Sequence, residues 1–156
     1  MRNAETDMGL DKGTTKRVLS LLNAQKLAVM ATYEPKQPYL SLVAFCHTSD
    51  LKRIIFATDR NTRKYENLMK NSRAAILFDN RIVAESDFHL GVAVTAYGNA
   101  EEVEESNISK LREYYLEKHP AMEDFLDSTT TALLCLNVEY FHIVDNFQDV
   151  TVVTVN

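Results

Sequence analysis

The residues best suited to chemistry lie together in the run Phe56-Ala57-Thr58-Asp59-Arg60-Asn61-Thr62-Arg63-Lys64-Tyr65-Glu66-Asn67-Leu68. Thr62 is a good helix cap, and Tyr65, Leu68 and Met69 follow at helical spacing. The run therefore reads as a strand leading into a helix of about three turns. A helix start carries unpaired N–H groups and a partial positive charge, which favour acidic side chains. Here it carries Arg63 and Lys64, with Arg60 just before. Each such cation costs about 0.3–1 kcal/mol, and a bound dianion reverses the sign by pairing with the cations and the free N–H groups. A terminal phosphate monoester suits the set: a hydroxyl from Thr62, a two-pronged contact from Arg63 and a point charge from Lys64. The same cations also fit an exposed basic surface whose helix is held by the packing of Tyr65, Leu68 and Met69. Electrostatics alone names no ligand.

Other reactive side chains are scattered. Cys46 and Cys135 sit inside apolar runs without CxxC spacing, which reads as two buried free thiols. His47, His89, His119 and His142 share no metal-pair spacing, so no metal centre is expected, and His47 at a strand end reads as a satisfied surface residue. Neither a GxGxxG fingerprint nor a P-loop is present.

The elements that position the basic run are legible from hydrophobic period. Thr14 or Thr15 caps a first helix with Val18, Leu21 and Leu22 on one face, ending near Asn23. Leu27 to Thr32 reads as a strand, and Glu34 to Pro38 as a turn, because proline lacks the ladder donor. From Tyr39, Ser41, Val43 and Phe45 share one face while Leu40, Leu42, Ala44 and Cys46 share the other, so both faces are expected to be partly buried. Thr48 to Asp50 turns this strand into Arg53–Ala57, a hairpin from Tyr39 to Ala57. Arg73 to Phe78 and Leu90 to Ala100 are further strands, with Gly98 marking a bulge or a close backbone approach. Glu101 to Lys118 reads as an amphipathic helix with Ile108, Leu111 and Tyr115 inward, stopped by Pro120 and followed by a short helix around Met122, Phe125 and Leu126. Thr131 to Val155 gives two paired strands broken at Asp145–Asp149. Six or seven short strands without βαβ alternation make a mainly β fold, an antiparallel barrel with peripheral helices.

Bulk properties narrow the partners. The 156 residues are 46% apolar, with four glycines and three prolines, which suits one folded domain over 14–156 after a polar N-terminal segment, 1–13. A net charge of −5 gives no general attraction to nucleic acid or an anionic membrane. No apolar run approaches a signal peptide or a membrane span, so a cytoplasmic protein is expected.

The order Tyr39–Phe45, Ile54–Thr58, then Thr62-Arg63-Lys64 with Asn67-Leu68 and Asn71, and later Val92–Gly98, resembles the pyridoxamine 5′-phosphate oxidase-like FMN-binding superfamily over roughly Thr14 to Val153. The resemblance implies an antiparallel split β-barrel of six to seven strands that forms a homodimer with FMN in clefts between the subunits. It further implies that Thr62, Arg63 and Lys64 hold the FMN phosphate. The backbone of Ser41, Leu42 and Val43 would lie along the ring, and Ala57 and Thr58 would meet the ring or ribityl chain. The oxidase itself opens its ring-contacting strand with arginine and ends it with a substrate-binding lysine, where this chain reads Leu40-Ser41-Leu42-Val43-Ala44-Phe45. Its vitamer-phosphate set and its Arg-x-His pair also lack equivalents in Glu104–Lys118 and Phe141–Val155, so pyridoxamine phosphate is not the expected substrate. What remains is an FMN-dependent oxidoreductase acting on a small substrate, with no catalytic residue named because the cofactor carries the chemistry. The alternatives are a flavin carrier or sensor, or a split barrel for haem or a deazaflavin.

Overall fold

Period-two burial organises the chain into strands whose inner residues meet around one axis. The computed structural model describes residues 6–82, 84–146 and 148–155. Its strands are β1 (Thr6–Gly9), β2 (Leu27–Glu34), β3 (Gln37–His47), β4 (Arg53–Asp59), β5 (Arg73–Asp79), β6 (Ala93–Glu102), β7 (Thr131–Asp145) and β8 (Asp149–Thr154). The helices are α1 (Lys12–Ala24), α2 (Arg63–Lys70), α3 (Asp87–Leu90), α4 (Glu105–Lys118) and α5 (Glu123–Asp127), with a 3-10 turn at Pro120–Met122.

Strands β7-β4-β3-β2-β5-β6 are hydrogen-bonded in that order, and a β6–β7 ladder closes them into a six-stranded antiparallel barrel. Strand β8 pairs antiparallel with the second half of β7, and β1 adds to β8 in parallel. The barrel is filled by inward residues such as Met30, Phe45, Phe56, Ile76, Leu134 and Phe141, with Leu22 of α1 and Leu68 of α2 packed onto the same core. A second, smaller core lies outside the wall, where Leu111 and Tyr115 of α4 cover Cys46, Ile55, Ala57 and Leu133. This double covering explains why residues 132–136 of β7 are buried without alternation. Both cysteines are buried free thiols, as expected.

The bulge lies where glycine marks it. The β6–β7 register shifts between Tyr97 and Gly98, and a Cβ on Gly98 would sit 1.9 Å from the Asn137 carbonyl oxygen. The absent side chain lets β7 cross close enough to close the barrel.

Several boundaries differ from expectation. Asp11, not Thr14 or Thr15, caps α1, accepting a 2.8 Å hydrogen bond from Thr14 N–H. Pro38 lies within β3 opposite Tyr33, because β3 is paired there on the β2 side alone and the missing donor leaves no gap in a second ladder. Helix α2 is shorter than three turns, at eight residues. Glu101 and Glu102 extend β6, delaying α4 to Glu105, and Ile108 is exposed while Leu111 and Tyr115 are buried. Strand β1 was not anticipated, since its partner lies far along the sequence.

Candidate functional site

The hairpin β3–β4 pairs over only three positions, Phe45–His47 against Ile54–Phe56. Beyond them the strands part. Residues Gln37–Ala44 of β3 continue pairing with β2 alone, and Ala57–Asp59 of β4 pair with β7 alone. Carried past Phe45↔Phe56, the register sets Val43 across from Thr58 and Ser41 across from Arg60, with no ladder between them. Two strand edges therefore face each other across an open seam, each offering main-chain donors and acceptors without a strand partner. Helix α2 begins at the end of this seam.

The turn into α2 is tightly built. Thr62 N–H donates to Asp59 O, and the Thr62 hydroxyl also donates to Asp59 O (2.8 Å) while accepting from Tyr65 N–H (3.4 Å). The Thr58 hydroxyl lies 2.9 Å from Thr62 Oγ1, so the Thr62 hydroxyl has all its hydrogen-bonding positions filled as a cap. Asp59 accepts from Asn61 N–H and from the Thr130 hydroxyl, which hold its carboxyl below the ordinary carboxylate range. Within the first turn this leaves the N–H groups of Arg63 and Lys64 facing out of the helix without a main-chain partner among the described residues.

The basic cluster does not act as one. Arg60 is answered by Glu102 of β6 through two hydrogen bonds, 3.2 and 2.8 Å, and donates to the carbonyls of Thr129 and Thr131. Tyr65 donates its hydroxyl proton to the same Glu102 carboxylate. The Arg60 contact pulls the Glu102 carboxyl down, and the carboxylate in turn raises the Tyr65 phenol. Arg63 pairs with Glu34 at the end of β2 (2.7 Å) and lies 3.9 Å from Glu66. Glu66, an acidic residue in the first turn that softens the expected charge conflict, also binds Lys70. Lys64 is left: half-buried, with its pKa lowered by desolvation and no ion-pair partner among the described residues.

The other expected contact residues divide by side-chain direction. Val43 points into the barrel core, and Ser41, on the same side, has a buried hydroxyl oxygen without a hydrogen-bond partner. Leu42 points outward and is 65% exposed, as is Leu40 at 64%, whereas Cys46 and Ala44 further along the same face are covered by the second core, so the outer face of β3 is partly buried, open at Leu40 and Leu42. Thr58 is buried and Ala57 packs into the second core, which leaves only their main chain for a ligand at the seam. Thus the seam and the α2 start bring together Ser41, Leu42, Val43, Ala57, Thr58, Thr62, Arg63 and Lys64. Glu34 escapes sequence reasoning because it lies 29 residues before Arg63, next to a proline turn. His47 hydrogen-bonds Asn23 and the Thr48 carbonyl, in keeping with a satisfied residue.

Among the described residues no cluster of histidine, cysteine and carboxylate side chains could hold a metal ion, and no helix is long and apolar enough to cross a membrane. Comparison with known proteins gives a family model described as pyridoxamine 5′-phosphate oxidase, matching residues 14–145. No curated protein matches the chain. Among solved structures it is similar to a haem-binding protein from Mycobacterium smegmatis, with a TM-score of 0.81 and 16% identity over 93% of this chain and 59% of that one. This chain thus spans 59% of that protein's length. A Clostridium acetobutylicum protein related to general stress protein 26, of the pyridoxinephosphate oxidase family, aligns with a TM-score of 0.71 and 18% identity, over 94% of this chain and 97% of that one. An FAD-binding protein from Mesorhizobium loti gives 0.66 and 14%, over 86% and 94%. At such identities these three likenesses are of fold.

Proposed function

Since the chain belongs to the pyridoxamine 5′-phosphate oxidase family, we propose that it is an FMN-binding oxidoreductase acting on a small substrate, with the flavin laid along the β3–β4 seam. The observation that carries this reading is the seam itself: two unpaired strand edges ending at a helix start whose Lys64 has no counter-ion among the described residues. The residues fit the group. Arg63, Lys64 and the two outward N–H groups of α2 hold a terminal phosphate, while Thr62 keeps that first turn in shape. The edge of Ser41–Val43 offers main-chain partners to the ring's polar rim, and the orphaned Ser41 hydroxyl lies on the same stretch. The Ala57–Thr58 edge lines the opposite side. Bound there, flavin supplies hydride or electron transfer, which requires of the protein only orientation, polarity and exclusion of water.

The outer wall supports a homodimer. Ladder register aligns Leu42, Val29, Leu77, Thr95 and His142 in one row and Leu40, Ala31, Ala75, Tyr97 and Tyr140 in the next. With Leu40 and Leu42 both mostly exposed, these rows form a broad apolar face beside the seam, which a second copy would cover together with the flavin.

Arg63→Ala with Lys64→Ala is expected to leave the fold intact and to weaken FMN binding at least tenfold, measured by fluorescence titration, through loss of two charge-assisted contacts. Unchanged affinity would remove the site assignment. The Mycobacterium smegmatis neighbour supports haem as a second occupant of the same fold, and the visible spectrum of the purified protein separates the two pigments.

A further inference from the structure

Glu34 stands where two features meet. It ends β2, accepts the 2.7 Å hydrogen bond from Arg63 Nη1, and lines a groove of about 470 Å³ between the β2–β3 turn and the start of β5, together with Lys36, Arg73 and Tyr97. Its side chain is 20% exposed against 54% for Arg63. The carboxylate is thus the more fixed partner and the guanidinium the one free to turn. Arg63 is thereby occupied by an anion of the protein's own, whereas its neighbour Lys64 has none among the described residues.

We infer that Glu34 is a built-in competitor for the phosphate site, holding Arg63 until an incoming group of higher negative charge draws it away. This deepens the flavin reading above and rests on it. A phosphate monoester carries about −1.5 to −2 at neutral pH, against a single charge on the carboxylate, and offers three acceptor oxygens. Exchange of Glu34 for phosphate is therefore favourable to Arg63, but the released ion pair is subtracted from the binding energy. A ligand without phosphate leaves the pair undisturbed. Glu34 accordingly sets how tightly a phosphorylated flavin is held and leaves an unphosphorylated one unaffected.

The test is titration of the full chain and its Glu34→Gln variant with FMN and with riboflavin, repeated in an Arg63→Ala background. Glutamine keeps the shape and removes the charge. An exposed ion pair of this kind corresponds to about a two- to fivefold change in affinity. The expected result is FMN binding tightened by that factor, riboflavin binding unchanged, and no gain from Glu34→Gln once Arg63 is alanine. FMN binding that is unchanged or weakened by Glu34→Gln overturns the inference, weakening meaning that Glu34 orients Arg63 toward the ligand. The same gain for riboflavin, or a gain that survives Arg63→Ala, overturns it as well. A wild-type chain that does not bind FMN at all removes the flavin reading itself, an outcome distinct from the others.

Discussion

Two lysines show how much depends on what answers a half-buried ammonium group. Lys118 donates to the Leu22 carbonyl (2.9 Å) and lies 3.9 Å from the centre of the Phe45 ring, so the chain itself supplies its partners. Lys64 is desolvated, with its pKa lowered, and among the described residues it has no such partner. Burial pulls the Lys118 pKa from 10.5 to about 8, so between those values the unfolded chain holds the extra proton and stability rises with pH. The Cys46 and Cys135 thiols oppose this above their ordinary value of 9.0, because burial raises them to about 12 and about 11. Tyr115, raised from 10.0 to about 12, adds to the opposition. Urea denaturation across the alkaline range should therefore show stability climbing from about pH 8, cresting near pH 9 and then falling. Lys118→Met should abolish the climb, which is on the order of 1 kcal/mol after allowing for partial exposure. At this scale the sequence showed Thr62 as a cap and Arg63 and Lys64 as its neighbours. It could not show that Arg60 is neutralised by Glu102 or Arg63 by Glu34, since these partners lie 42 and 29 residues away along the chain and meet only through the tertiary fold.

Elements were legible wherever local period decided them. The β3–β4 hairpin, the Thr62-capped helix and the bulged Gly98 strand follow from alternation, capping chemistry and glycine placement within a few residues. What local pattern could not supply was where pairing stops. The hairpin reads as continuous, yet β4 abandons β3 after Phe56 while continuing along β7. Pro38 likewise looked like a turn residue because a one-sided ladder cannot be recognised from the strand alone. The Gly98 crossing is the element-level feature most sensitive to change. Gly98→Ala would drive a methyl group into the Asn137 carbonyl, so a loss of about 3 kcal/mol in urea denaturation is expected, with the β6–β7 closure distorted. A near-neutral effect would mean that the bulge can shift along the ladder.

For the whole molecule, strand count and the lack of βαβ alternation were enough to indicate a mainly β barrel with peripheral helices. The order of strands around it, the second core under α4 and the parallel β1 edge arise from long-range pairing. The open apolar face formed by Leu40, Leu42 and their row neighbours belongs to this scale too. If a second copy covers it, Leu42→Glu should place a charge at a desolvated contact and halve the particle mass measured by light scattering after size exclusion, with the monomer still folded. Flavin affinity should fall in parallel. An unchanged mass would move any self-association to another surface.

The three ladders of β7 have a consequence for biosynthesis. Its residues 131–145 bind β4, β6 and β8, so the earlier strands can form hairpins as they leave the ribosome but cannot curl shut until β7 arrives. Until β7 has been made, Met30, Phe45 and Ile76 line an unsealed sheet whose apolar inner face is exposed to aggregation.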